Sequence, residues 1–357
     1  ISTLIDYHTS MKFTHLHTHS HYSLLQALPK IPELVAAAKK NGMESLALTD
    51  NGNLYGAIEF YKECKKASIK PIIGVDCYVA GRTRFDKQAG IDKDRTRLVL
   101  LAKNEIGYKN LLKIVTASYL EGFYYKPRID FEVMEKWSEG LFAISSSWSG
   151  NISTALRGKN IDKAKELLEK YKKIYGDNFY IEITIHPELS GHNEHMRVLR
   201  EFAKENGVEI VANHDVYYIN PEDREAKNTL MAVMQGVGPG NTGERGAFGD
   251  EEEDFSFLSQ EEAVQRFKEY PEALFNNRKI TGLCNLELEL GKWVFPDYKI
   301  PENTTHDQEL KRVTYEGLKG RGLKSTPETE ERIEYELKVI KDKGYAPYFL
   351  VVGDLLR

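Results

Sequence analysis

The sequence predicts an α/β fold: a distorted seven-stranded (β/α)7 TIM-like barrel followed by a mainly helical segment. Three observations lead there. Between Met11 and about Gly236, seven short runs of strand length alternate with segments of helical period. The runs are apolar nearly throughout, as strands covered on both faces are. From Leu286 to about Asp307 the chain is extended and punctuated by proline, and beyond that only helix-period segments follow. Seven β–α units call for a parallel sheet closed one unit short of eight, with an open doubly wound sheet as the alternative.

Taken in order, the expected strands are "KFTHLHTH" (12–19), "SLALTD" (45–50), "PIIGVDCYVA" (71–80), "RLVLLAK" (97–103), "LFAISS" (141–146), "NFYIEITI" (178–185) and "VEIVANHD" (208–215). The helices between them include "IPELVAAAKKNG", where Pro32 suits the first turn and Gly42 the stop. "LYGAIEFYKECKKAS", "GYKNLLKIVTASYLEG", "NIDKAKELLEKYKKIYG" and "GHNEHMRVLREFAKENG" continue the pattern. The stretch 236–254, with its glycines and the acidic run Asp250 to Asp254, reads as a flexible loop. A helix capped by Ser259 and a second over "PEALFNNRKITGLC" complete a domain assigned to 11–285. The remainder, 286–357, carries "ELKRVTYEGLKGRG" and "PETEERIEYELKVIKDKG", and its apolar tail "YAPYFLVVGDLLR" suggests a fragment of something longer. Residues 1–10, ahead of Met11, read as a leader or an added extension.

Composition narrows the function. A net charge of −5 argues against stand-alone DNA binding, although it leaves room for a local basic groove. Cys64, Cys77 and Cys284 are scattered without a C-x-x-C pair, which argues against a disulfide framework or a cysteine zinc site. No apolar run approaches the roughly 18–20 residues of a membrane span, and no secretory leader is evident. The expected compartment is the cytoplasm, without a membrane partner.

The chemistry concentrates in "KFTHLHTHSHYS". His15, His17, His19 and His21 fall at every second position, so on a strand they share one face. Asp50 ends the second strand, and His214 and Asp215 end the seventh. In a parallel barrel those ends open on one mouth, and a histidine and aspartate set there suits Zn²⁺, Mn²⁺ or Mg²⁺. The plain alternative is an exposed edge tolerant of polar residues.

The stretches "FTHLHTHSHYSLLQALPKI", "LALTDNGNLYGAIEFY", "IKPIIGVDCYVA", "RLVLLAKNEIGYKNLLKI", "GLFAISSSWSG" and "VEIVANHDVYYI" resemble the polymerase and histidinol phosphatase (PHP) domain. They are most similar to the form that opens the bacterial replicative C-family polymerases, the DNA polymerase III alpha subunits. The tail "KGYAPYFLVVGDLL" resembles the segment just before the palm of those enzymes. The resemblance implies that 11–285 is the PHP domain and 286–357 the start of the palm/thumb region. It also implies a DNA-directed DNA polymerase, a nucleotidyltransferase using Mg²⁺, whose catalytic aspartates lie beyond this chain. Implied partners are the other replicase subunits, primer-template DNA and the proofreading exonuclease subunit, which this domain carries in some relatives.

Carried over position by position, the family's ligand set is incomplete. His17, His19, Asp50 and Asp215 match, and Asp76 stands as a shortened carboxylate for a glutamate. Gln26, Asn51, Arg97, Ser147 and Tyr217 occupy positions where ligands are expected. Gln26 and Asn51 offer only neutral carbonyls, Ser147 ligates poorly, and a phenol with a reference pKa near 10 rarely coordinates. Arg97 decides the matter, because a guanidinium has no lone pair to give. Two unit charges 4 Å apart repel by about 4 kcal/mol at an effective dielectric of 20, and by about 8 against a divalent ion. The arginine fits better as a fixed stand-in for the cation, paired with Asp50, Asp76 or Asp215. At most one weakly held divalent ion is then expected, in a domain acting as scaffold and docking surface. The alternative is an active metal-dependent phosphoesterase or 3′–5′ exonuclease built on His17, His19, Asp50 and Asp215; an amidohydrolase-type barrel is more distant. Arg97 falls near the start of its expected strand, away from the mouth of a parallel barrel, which calls for an earlier strand start or a distorted barrel.

Weaker signals are His186, His192 and His195, read as solvent-facing polar side chains at a helix start. "FYYKPRIDF" mixes aromatics with Lys126 and Arg128 as a single-strand binding surface would, and core packing with solvent-facing tips is the plainer reading.

Overall fold

The computed structural model describes residues 12–235, 253–292 and 298–356. The expected leader 1–10 and all but the last two residues of the expected loop 236–254 lie outside the described residues. The chain divides into two compact units, Ile1–Leu288 and Glu289–Arg357.

In the first unit the elements run α1 (Ile31–Lys40), β1 (Ser45–Leu48), α2 (Ala57–Ala67), β2 (Lys70–Ala80), β3 (Arg95–Ala102), α3 (Glu105–Leu120), β4 (Phe123–Tyr124), β5 (Lys126–Ile129) and α4 (Phe131–Lys136). They continue with β6 (Leu141–Ser145), α5 (Asn151–Arg157), α6 (Ile161–Tyr175), β7 (Phe179–Ile183), α7 (His192–Glu205), β8 (Glu209–Ala212), α8 (Arg224–Gln235), α9 (Gln260–Arg266) and α10 (Pro271–Leu283). The sheet order is β1–β2–β3–β6–β7–β8, with β5 and then β4 added along the second half of β2. The first histidine run is extended but forms only an isolated bridge, Thr18 to Val216. It joins the two edges of the curled sheet: the Ala47 and Thr49 amides donate to the His15 and Thr18 carbonyls, and the His19 amide to the Val216 carbonyl. The TIM-like architecture expected from the sequence is therefore present.

One strand runs against that expectation. β3 is antiparallel to both neighbours, β2 and β6, whereas β6, β7 and β8 are parallel. The reason lies in the connection. Parallel pairing needs a crossover, usually a helix, and residues 81–94 contain none, so the chain returns as a long hairpin. That hairpin is stapled by Arg128, fully buried, which donates to the carbonyls of Gly122, Arg84, Asp86 and Asp92 at 2.8–3.1 Å. In "FYYKPRIDF", then, Arg128 is a structural brace, while Phe123 and Tyr125 are the exposed tips.

Alternation sorts the strand residues into two layers. Ile73, Val75, Cys77 and Val79 of β2 and Leu98 and Leu100 of β3 face the surrounding helices. Ile72, Val99, Leu101, Phe142, Ile144, Tyr180 and Val211 fill the interior with Leu16 and Ala47, and Ile280 and Cys284 of α10 belong to the same cluster. Gly74 lies on this inner face, and a Cβ there would stand 2.5 Å from the Leu100 carbonyl. Asn277 of α10 ties the ends together, receiving the Ala212 amide and donating to the Ala212 and Thr14 carbonyls. Ser259 caps α9 as expected, in a capping box with Glu262.

The second unit contains α11 (His306–Gly320), α12 (Pro327–Asp342) and α13 (Ala346–Leu355). Leu310, Ala346 and Leu350 form its small core, with Val313, Leu337 and Ile340 packed around them. Thr305 caps α11 and Thr326 caps α12.

Candidate metal centre

Where the inward positions approach the mouth they turn from apolar to polar. On β2 the inner face reads Ile72, Gly74, Asp76, Tyr78, and on β3 it reads Leu101, Val99, Arg97. Because β3 is reversed, its beginning, not its end, lies at the mouth. Tyr78 pairs with Arg97 and Asp76 with Val99, so the guanidinium reaches diagonally across to Asp76 on the shared face. The strand direction settles the position of Arg97 that the sequence left open.

Arg97 is buried and closes a polar chain. Its Nε donates to Asp76 Oδ2 at 2.9 Å, and its Nη2 donates to the same oxygen and to Asn51 Oδ1. Asn51 Nδ2 in turn donates to Gln26 Oε1 at 3.0 Å. The Tyr78 ring lies under the guanidinium, 4.3 Å from its carbon. Burial works against both charges of the pair. Mutual attraction nevertheless keeps Arg97 above its ordinary pKa and, with help from His17, holds Asp76 well below the carboxylate range.

His17 links the pair to a second acidic group. Its Nε2 is 3.1 Å from Asp76 Oδ2, and its Nδ1 is 2.9 Å from Glu182 Oε1 and 2.8 Å from Asp215 Oδ1. Burial opposes its proton, but Asp215 and Glu182 overcome that and raise its pKa well above the usual value. His19 behaves oppositely: burial and the neighbouring His17 push it down to about 3. Tyr217 stacks on the His19 ring at 4.3 Å, and burial drives its phenol pKa up. Ser147 donates its amide to Glu182 Oε2 and shares a hydrogen bond with Thr184.

The four opening histidines separate. A bend at Leu16 and His17 breaks the alternation. His15 therefore faces outward, packed between Phe13 and Phe257 and bonded to the Leu258 carbonyl, while His21 lies half-buried against Tyr22. His214 is buried beside His186. Asp50 also turns away, held by the Ser20 amide and the Ser20 and Ser23 hydroxyls at 2.7–2.8 Å. Burial raises it to about 6 against those bonds. His192 and His195, expected at the surface, are buried and bonded to Thr184 and Ser153.

The structure brings in a residue the sequence reading passed over. Glu182 binds His17, Ser147 and Asn213 from near the C-terminal end of β7. Its signal was available: one acid inside the apolar run "FYIEI", at the alternate position that faces inward.

Among the described residues two groups each bring their ligand atoms within 4.8 Å of one another, His17–His19–Asp76 and His17–Glu182–Asp215. A multinuclear ion cluster does not fit them as they stand. Both nitrogens of His17 face carboxylates, and Asp76 Oδ2 is taken by the guanidinium. Among the described residues, the buried atoms here without a hydrogen-bond partner include His19 Nε2 and Asp76 Oδ1, polar groups that would suit a water or one ion.

A curled α/β sheet whose mouth gathers histidines and carboxylates from successive strand ends defines the class, and residues 15–186 match the PHP domain. Residues 308–357 match the bacterial DNA polymerase III alpha NTPase domain. The DNA polymerase III subunit alpha of Borreliella burgdorferi is 41% identical over 349 residues, covering 97% of this chain and 30% of the relative. That of Aquifex aeolicus is 37% identical over 372 residues, covering 98% of this chain and 31% of the relative. An amidohydrolase from Chromobacterium violaceum aligns with a TM-score of 0.37 at 14% identity, over 57% of this chain and 87% of that one, a likeness too slight to carry weight. Over nearly its whole length, then, the chain is similar to bacterial DNA polymerase III alpha subunits, with a PHP domain match at 15–186. It spans about 30% of the length of the curated relatives it matches.

Proposed function

We propose that this chain is the N-terminal portion of a replicative DNA polymerase and that its PHP domain serves as a scaffold, not as a metal-dependent hydrolase. The observation that supports this most directly is Arg97, whose guanidinium neutralises Asp76 from within the pocket that ligands would share. A permanent cation bonded to a central carboxylate supplies the charge balance an ion would otherwise bring, and it offers no coordination position at which a water could be ionised. The full-length protein is then a DNA-directed DNA polymerase using Mg²⁺ on primer-template DNA with the other replicase subunits. In this reading 286–357 is the start of its palm/thumb region and the protein acts in the cytoplasm. Among the described residues no helix is long and apolar enough to cross a membrane.

The scaffold role extends to docking the proofreading exonuclease subunit. Tyr55, Tyr119 and Phe123 support a docking surface on this domain, being 58%, 36% and 49% exposed, with Tyr119 and Phe123 stacked at 6.2 Å. Metal analysis of the purified chain tests the central claim. We expect substoichiometric Zn and Mn after dialysis and no metal-dependent nuclease activity. Stoichiometric metal that disappears in His17→Ala, together with nuclease activity lost in the same variant, would establish the phosphoesterase instead.

A further inference from the structure

At the end of the sheet opposite the mouth the surface turns basic. α1 and α2 pack side by side, and each runs from the mouth back to the start of the following strand. Both close on a lysine pair, "AAAKK" in α1 and "CKKA" in α2. Their C-termini lie together, and Lys39 Nζ donates across to the Ala67 carbonyl at 3.0 Å. β1 and β2 begin beside them, with the Lys70 amide on the Glu44 carbonyl at 2.8 Å. Lys39, Lys40, Lys62, Lys65, Lys66 and Lys70 gather there, and Lys12 joins them through Glu44.

Local acids do not balance this group. Glu44 pairs with Lys12, Glu287 with Lys65 at 2.7 Å and Glu63 with Lys66 at 3.6 Å. The remaining acids of the two helices, Glu33 and Glu59, sit in their first turns at the mouth end. Lys39 and Lys70 donate to backbone carbonyls, of Ala67 and Thr281. Among the described residues Lys40 and Lys62 have no carboxylate within ion-pair distance. A helix C-terminus favours basic residues, but two such ends offer only about one unit of negative charge between them. Seven lysines against three glutamates and that unit leave a surplus of about three positive charges. The chain that carries it has a net charge of −5.

The side chains around the surplus select among polyanions. None of the large exposed hydrophobic residues lies in 39–44 or 62–71, and the exposed Tyr55 and Ile58 stand at the other end of α2. Protein interfaces are rich in aromatic residues and arginine and poor in lysine. A single strand needs aromatic faces on which its bases stack. Tyr61, the ring at hand, is 5% exposed and has its hydroxyl on Glu287. Long lysine stems without an apolar anchor suit a regular row of phosphates, which asks for charge more than for shape.

We propose that the α1–α2 end of this domain is a contact for the phosphate backbone of duplex DNA, independent of base sequence and separate from any site of synthesis. Lys40 and Lys62 reach phosphates directly. Lys66, whose side chain is 78% exposed, exchanges its loose pair with Glu63 for one. The contact goes beyond the scaffold reading and stands whether or not the mouth holds an ion. It binds only, so no bond is made or broken in it.

Fluorescence anisotropy of the whole chain with a labelled short DNA duplex in EDTA tests this, as salt is raised from about 50 to 200 mM. We expect saturable binding, equal for duplexes of unrelated sequence, that weakens steeply with salt. Lys40→Ala and Lys62→Ala should each raise Kd about tenfold at the lower salt and flatten the salt slope by about one. Lys163→Ala, on α6 and paired with Glu166, should change neither. Absence of saturable binding, or binding that Lys40→Ala and Lys62→Ala leave unaltered at unchanged melting temperature, would overturn the proposal. A single strand or polyglutamate held as tightly per charge as the duplex would also defeat it, in favour of a stacked strand or an acidic protein segment. Metal content measured on the same samples reports on the mouth, so failure here and failure of the scaffold reading are told apart.

Discussion

The two ends of the sheet interior are built from the same strands and the same alternate positions, yet they are held together by different forces. Toward the base, Leu16, Ile72, Leu101, Phe142, Tyr180 and Val211 pack as a dry cluster with Ile280 and Cys284. Toward the mouth, Asp76, Arg97, His17 and Glu182 form a network of charges. The base is stabilised by area removed from water, roughly 25 cal/mol per Å². The mouth spends desolvation energy and recovers it through pairing, so its contribution depends on every partner being present. The base therefore tolerates change in proportion to lost volume, whereas the mouth responds to lost charge.

The largest expected effect comes from Arg97→Met. It leaves Asp76 and its neighbours with uncompensated negative charge, at a cost of about 4 kcal/mol at pH 7 in urea unfolding. The cost should also depend on pH. In the wild type Asp76 titrates below the ordinary carboxylate value, so the stability it lends is complete above that value and is lost as the pH falls toward the folded one. The difference between wild type and variant should therefore narrow below about pH 4. A cost that stays flat with pH would place the mouth on the same footing as the base.

Leu101→Ala supplies the contrast, about 3 kcal/mol from a buried cavity and equal at pH 7 and pH 5. A marked pH dependence there would break the distinction from the other side. The smallest effect is expected at Asp50, raised to about 6 by burial. An acid with a raised folded pKa favours the fold fully below its ordinary value and loses that contribution as the pH climbs through 6. Asp50→Asn, which cannot ionise, should gain about 2 kcal/mol on the wild type between pH 4 and pH 7, read from paired unfolding curves.

Much of the fold could be read in advance. The apolar runs of β2, β6, β7 and β8, the helices between them and the Ser259 cap needed only local pattern. The antiparallel β3 was missed although its signal was present. No helix-period segment separates "PIIGVDCYVA" from "RLVLLAK", and a parallel crossover needs one. At the site, the clustering of His17, Asp76 and Arg97 followed from the resemblance, while Glu182 was hidden inside a run classified by its apolar neighbours. The outward turn of His15 came from a bend no local propensity announces.

The sequence by itself determined most of the strands and helices, that polar ligand types gather near strand ends, and that one ligand position holds an arginine. Those properties follow from residue chemistry and spacing along the chain. Only the tertiary structure decided that this arginine reaches the mouth and that Asp76 rather than Asp50 receives it. A period of two says that alternate side chains share a face but not which face or which direction, and both are set by the strand that pairs alongside.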